Sequence, residues 1–138
     1  MMNERMLTIE FEANFRNVDI ARAALQGICA ECFGVDTERA SDITMAANEA
    51  MNNAVEHTGS TTVKLEVAWN DKELRVFVIS GGSYFDPVTA AAELDQEDMR
   101  ERDEGGYGLY MIRELVDRFD YEYRDSCNIW KLYKSTSL

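Results

Sequence analysis

A chain of 138 residues, 46% hydrophobic and 29% charged, is sized and balanced for one domain around one core, and this content does not suit a wholly disordered chain. Its formal net charge of -12 argues against binding nucleic acid or anionic lipid, both of which call for a basic surface. No apolar run nears the ~20 residues that cross a bilayer, and the opening MMNERMLTIEFEA lacks the apolar heart of a signal peptide. A cytoplasmic protein with no nucleic-acid and no membrane partner is expected.

Met6 to Ala13 alternates apolar and polar residues and reads as a strand. Val18, Ala21, Leu25, Ile28, Cys32 and Phe33 then recur at helical spacing, predicting a helix over Val18 to Phe33 with Gly34 as its C-terminal cap. Asp36 or Thr37 caps a second helix whose buried stripe is Ile43, Ala47, Ala50 and Ala54, ending at His57 to Ser60. Thr61 to Trp69 and Leu74 to Ile79 form a hairpin around Asn70-Asp71. From Asp86 to Gly106 a small-residue helix, Val88 to Leu94, leads into the acidic run DQEDMRERDEGG, a long polar connection of the kind that serves as a lid or a loop. Gly108 to Phe119 reads as a third helix with Leu109, Ile112, Leu115, Val116 and Phe119 inward, and Asp120 to Tyr123 with Asn128 to Tyr133 as a closing hairpin. This order predicts a single α+β domain over 1–138: a two-layer sandwich, with a mixed, mostly antiparallel sheet and three helices on one face. Of the three cysteines, Cys29 and Cys32 spell CxxC, but late in a helical pattern, where core packing suits them better than redox or zinc chemistry.

The second helix contains NEAMNNAVEH. Residues four apart stack on one helix face, so Glu49, Asn53 and His57 form a polar ridge beside the alanine stripe. At the edge of a cleft, Asn53 offers a neutral oxygen to a hard cation such as Mg²⁺. Glu49 can orient or deprotonate a hydroxyl or water. His57 can neutralise phosphate charge or cap the helix C-terminus. The same three residues also suit a merely solvated face. Two glycine-rich segments add to the pattern: Ser80-Gly81-Gly82-Ser83-Tyr84-Phe85-Asp86-Pro87 follows a strand, and Gly105-Gly106-Tyr107-Gly108-Leu109 opens a helix. Glycine-rich turns at helix N-termini offer free N–H groups to anions. Neither segment matches a P-loop or a Rossmann fingerprint.

Taken together, Glu-x3-Asn-x3-His, a glycine turn ending in Phe-Asp-Pro, a polar lid and Gly-Gly-x-Gly-Leu resemble the GHKL (histidine-kinase-like) ATPase family over nearly the whole chain, and most of all its small anti-sigma-factor serine/threonine kinases. The resemblance implies the Bergerat-type ATP-binding fold, with ATP and Mg²⁺ as cofactors. It implies Glu49 as the base acting on a protein hydroxyl and Asn53 as the Mg²⁺ ligand. His57 would lie near the phosphates or the lid, and Ser80 and Gly82 would belong to the first glycine box. Gly105, Gly106, Gly108 and Leu109 would form the second box at the β- and γ-phosphates, with a lid at about 88–104. The implied partners are a sigma factor and a STAS-type anti-sigma-factor antagonist, the substrate of phosphorylation. The exposed edge of the first strand admits a homodimer, since the family often pairs through its N-terminal part, while the acidic charge opposes pairing.

Two positions depart from the family pattern. By the resemblance, Ser80 stands where the family has an Asp that accepts the adenine amino group, and Ser126-Cys127-Asn128-Ile129 lacks the threonine that the family tends to have near adenine, which Asn128 could replace. These departures support an alternative, a non-catalytic partner-binding module of the same fold. An unrelated α/β domain using CxxC is a third reading.

Overall fold

The structure, a computed structural model, describes residues 3–85 and 112–137. The described elements run β1 (Arg5–Glu12), α1 (Phe15–Phe33), α2 (Thr37–His57), β2 (Thr62–Trp69), β3 (Glu73–Gly81), β4 (Arg118–Arg124) and β5 (Cys127–Ser135). A helical turn at 112–115 precedes β4. The five strands form one sheet in the order β1-β2-β3-β5-β4. Every pairing among them is antiparallel, so the expected parallel component is absent from the described part of the sheet.

Strand alternation assigns one face of this sheet to the core. Register lines up Ile9, Leu65, Val78, Trp130 and Tyr121 in one cross-strand row, and Leu7, Val67, Val76, Leu132 and Phe119 in the next. The inward residues of β2, β3 and β5 are buried against the apolar stripes of α1 (Val18, Ala21, Leu25, Ile28) and α2 (Ile43, Ala46, Ala47, Ala50, Met51, Ala54). Each buried Leu, Ile or Trp withdraws apolar surface worth roughly 1.5–3 kcal/mol, and the alanines of α2 let it lie close to the strands.

Local chemistry sets the helix boundaries. Asn14 caps α1 by accepting from Asn17 N–H at 2.8 Å, so the helix begins at Phe15, earlier than the apolar spacing alone suggests. Gly34, at φ 56°, ends it as expected. Asp36 caps α2 through Arg39 N–H at 3.1 Å, and Arg39 holds its carboxylate at 2.6 Å. These bonds keep the Asp36 carboxyl below its ordinary value. The predicted third helix overshoots: helical geometry stops at 115, and Phe119 lies in β4, paired with Leu132. The run Ile112, Leu115, Val116, Phe119 satisfies helical spacing, but the free backbone of β5 recruits 118–124 as an edge strand. Lys134, only 8% exposed, fastens this junction by donating to the Leu115 carbonyl at 2.8 Å, with Asp42 of α2 at 3.6 Å.

Candidate functional site

The ridge of α2 falls into three environments. Glu49 is half-buried, Asn53 is 1% exposed, and His57 is exposed. Asn53 therefore lies deeper than a cleft edge, on the buried face with Ala46, Ala50 and Ala54. Its Nδ2 has no hydrogen-bond partner among the described residues. An unpaired buried polar atom costs roughly 1–3 kcal/mol, and folded proteins seldom keep one without a bound ion, water or functional reason. Exchange of amide O and N by a half-turn lets that position serve as donor or acceptor. Four residues on, the His57 ring stacks on Phe85 with centroids 4.7 Å apart and planes 8° from parallel, its Nε2 3.4 Å from Glu56.

The end of α2 carries the turn that follows β3. Thr58 Oγ1 donates to the Ala54 carbonyl at 2.7 Å, accepts from Ser60 N–H at 3.3 Å, and meets Ser80 Oγ at 2.7 Å. Thr58 and Ser80 are each 1% exposed. Gly82 adopts φ 97°, and a Cβ there would drive into the Thr58 carbonyl oxygen, so the position requires glycine. Ser83 N–H then donates to that carbonyl at 2.8 Å, and Tyr123 Oη donates to the Gly82 carbonyl at 2.9 Å.

The β3–β5 ladder pairs Ser80 with Asn128. Asn128 is fully buried. Its Oδ1 accepts from Phe85 N–H at 3.0 Å and from Tyr121 Oη, and its Nδ2 donates to the Ser83 carbonyl at 2.8 Å and the Ser80 carbonyl at 3.4 Å. An amide has two lone pairs and two protons to offer, and here all four are engaged. Asn128 is a clamp on the 80–85 turn. Thr58, Tyr121, Tyr123 and the Phe85 stack were not singled out as site residues by sequence reasoning. Their signal was the adjacency of Thr58 to His57 and the pairing of the last hairpin with β3.

Glu49 also borders a second feature, a groove of about 610 Å³ between α1 and α2 lined by Arg22, Cys29, Thr44, Met45 and Asn48. Arg22 donates to Asn48 Oδ1 at 3.0 Å and pairs with Asp19 at 3.0 Å. Below it, Cys29 Sγ lies 3.7 Å from Thr44 Oγ1. Burial raises the Cys29 pKa, and burial, with Cys29 and Glu31 adding, pushes Cys32 up to about 12. Both are neutral thiols at physiological pH, which suits core cysteines and not a redox pair. No cluster of His, Cys, Asp or Glu with metal-binding geometry occurs among the described residues. The expected second glycine box, Gly105, Gly106, Gly108 and Leu109, and the lid at about 88–104 lie outside the described residues. No described helix is long and apolar enough to cross a membrane.

The chain is similar to known proteins in sequence and in fold. The histidine kinase-like ATPase domain matches residues 11–134. The serine-protein kinase RsbW of Listeria monocytogenes is 30% identical over 133 residues, covering 89% of this chain and 83% of the relative. RsbW of Bacillus pumilus is 31% identical over 140 residues, covering 88% and 82%. The serine/threonine-protein kinase BtrW of Bordetella bronchiseptica is 26% identical over 90 residues, covering 62% and 63%. Among solved structures, one of the RsbU and RsbW domains of Rv1364c from Mycobacterium tuberculosis superposes with a TM-score of 0.68 at 24% identity, covering 94% of this chain and 32% of that longer chain. The fold and these relatives agree: the chain belongs to the histidine kinase-like ATPase family and, within it, groups with the RsbW-type serine-protein kinases.

Proposed function

We propose that this chain is an anti-sigma factor and ATP-dependent serine/threonine protein kinase of a bacterial partner-switching system, one that binds a sigma factor and phosphorylates a STAS-type antagonist. The observation that supports the proposal is the buried Asn53 side chain, whose Nδ2 has no hydrogen-bond partner among the described residues, one helical turn from the half-buried Glu49 carboxylate. An oxygen ligand in a dry setting fits Mg²⁺, which takes one or two protein oxygens and keeps waters and phosphate oxygens for the rest. When bound, Mg-ATP supplies the transferable phosphoryl group and the divalent charge that offsets its negative oxygens. Glu49 holds the acceptor hydroxyl and takes its proton. His57 stands at the rim, where its stack on Phe85 ties the 81–85 turn to α2. Gly82 admits the tight turn, while Gly105, Gly106, Gly108 and Leu109 belong to the proposal as phosphate-side residues. Phosphorylation adds close to two negative charges to the antagonist, which weakens its docking on this acidic chain. A homodimer through the exposed edge of β1 is part of the same reading.

Phosphotransfer from radiolabelled ATP onto candidate antagonist domains, run beside thermal melting, tests it. Wild type should transfer label, and Mg-ATP at 100 times Kd should add about 2.7 kcal/mol of stability. Glu49→Ala should lose transfer and keep the melting shift. No shift at millimolar Mg-ATP would sink the proposal. The second reading, a partner-binding module without catalysis, is favoured by Ser80 in place of a carboxylate, and it requires sigma-factor binding with neither shift nor transfer.

A further inference from the structure

We infer that the groove between α1 and α2 seats the acceptor segment of the antagonist, filled by an apolar side chain two residues from the acceptor hydroxyl. The inference rests on the kinase reading above and concerns which protein segment that site selects. Glu49, the residue proposed to take the hydroxyl's proton, forms one end of the groove. From there the groove follows α2 back past Met45 and Ser41 to Thr37, with Gln26, Ala30 and Gly34 on the opposite wall. Its volume, about 610 Å³, lies in the ~300–1,000 Å³ range of clefts that enclose a ligand. A segment whose hydroxyl stands at Glu49 and that continues on this side runs along it.

The groove changes character along its length. At the Glu49 end stand Arg22 and Asn48, joined at 3.0 Å. Beyond them the polar atoms are turned on one another. Thr44 Oγ1 donates to the Ala40 carbonyl at 2.7 Å and lies 3.7 Å from Cys29 Sγ, and Ser41 Oγ donates to the Met45 sulfur at 3.7 Å. A surface whose hydroxyls are already engaged returns little to a polar side chain for its lost water, and it rewards an apolar one. The formal net charge of -12 also turns away an acidic side chain. Met45, 43% exposed, is unbranched and moulds to what arrives. The spacing follows from geometry. Thr44 precedes Glu49 by five residues, about 7.5 Å along the helix axis. An extended segment advances ~3.3 Å per residue, so two residues cover about the same distance. Side chains two apart in such a segment point the same way, so the hydroxyl and its apolar neighbour face the groove together.

Steady-state phosphotransfer onto an antagonist domain that the wild type labels tests it, with Ala30→Trp to fill the groove and Met45→Glu to charge its wall. Both positions are exposed, and circular dichroism checks each fold; should Ala30→Trp not fold, Met45→Glu carries the same readout. Each variant should lower kcat/KM for the antagonist by about ten- to a hundredfold, the equivalent of one apolar side chain left in water, at an unchanged Mg-ATP dissociation constant. Truncating to alanine the antagonist's apolar residue two positions from the acceptor should cost as much with the wild type and little more with Ala30→Trp. An antagonist with polar residues at both such positions overturns the inference. So does an unchanged kcat/KM in both variants, or a loss seen instead in sigma-factor binding or in self-association by sedimentation; each leaves the kinase proposal standing. A wild type that labels no antagonist overturns both.

Discussion

Replacing Asn128 with alanine separates a clamp from a base-reading side chain. The wild-type amide pairs Phe85 N–H at 3.0 Å and the Ser83 carbonyl at 2.8 Å, and its bond to the Ser80 carbonyl, at 3.4 Å, is long enough to add little. Removing it strands two donors, Phe85 N–H and Tyr121 Oη, and one acceptor, the Ser83 carbonyl, beside a fully buried position, at about 1–2 kcal/mol each, for a total of about 3–6 kcal/mol. Against the roughly 5–15 kcal/mol of an ordinary domain this is a large fraction, equivalent to a fall in Tm on the order of 10 °C. Urea unfolding followed by tryptophan fluorescence measures it, since the buried Trp130 lies two residues along the same strand. The midpoint should fall with an unchanged m-value. A loss below about 1 kcal/mol, accompanied by a collapse in nucleotide affinity, would refute the reasoning: Asn128 would then be reading the ligand and not holding the turn.

Two further outcomes are expected. Asn53→Ala removes a buried amide whose Nδ2 has no partner among the described residues, so the ligand-free chain should keep its stability or gain up to about 1 kcal/mol while the Mg-ATP melting shift disappears; a drop of about 2 kcal/mol or more without ligand would show that the amide is satisfied in the fold. Cys32 should resist iodoacetamide at pH 8 while the half-exposed Cys127 reacts first. Because folding raises the Cys32 pKa from 9.0 to about 12, it favours the neutral thiol, a contribution complete below pH 9 and lost as pH climbs toward 12. Cys32→Ala should accordingly lose less stability across that interval in chemical unfolding.

The sequence was most informative where the determinant is local. The cap of α2 at Asp36, the glycine end of α1 and the alternation of β2 and β3 depend on neighbours within a few positions, and the structure has them as expected. Spacing alone carries the third helix too far, because Leu115, Val116 and Phe119 obey a 3.6-residue period as well as they obey burial against β5, and only pairing with the edge of β5 decides between them. The depth of Asn53 was hidden for a related reason: spacing places a residue on a helix face but does not say how far the sheet wraps around that face. Asn128 is the clearest case of what lay out of reach. Its loss of freedom comes from Phe85 and Ser83, 43 and 45 positions away, and nothing in Ser126-Cys127-Asn128-Ile129 announces those bonds.

The ammonium of Lys134 joins three places far apart in the chain: α2 at Asp42, the turn ending near Leu115, and the last strand. Asp117 N–H on the Tyr133 carbonyl and Ser135 N–H on Asp117 add two more stitches at the same seam. On the far side, Phe85 is tethered to Asn128. The strand β5 thus moors the chain at Phe85 on one side and at Leu115 and Asp117 on the other, so a change in β5 reaches both places at once.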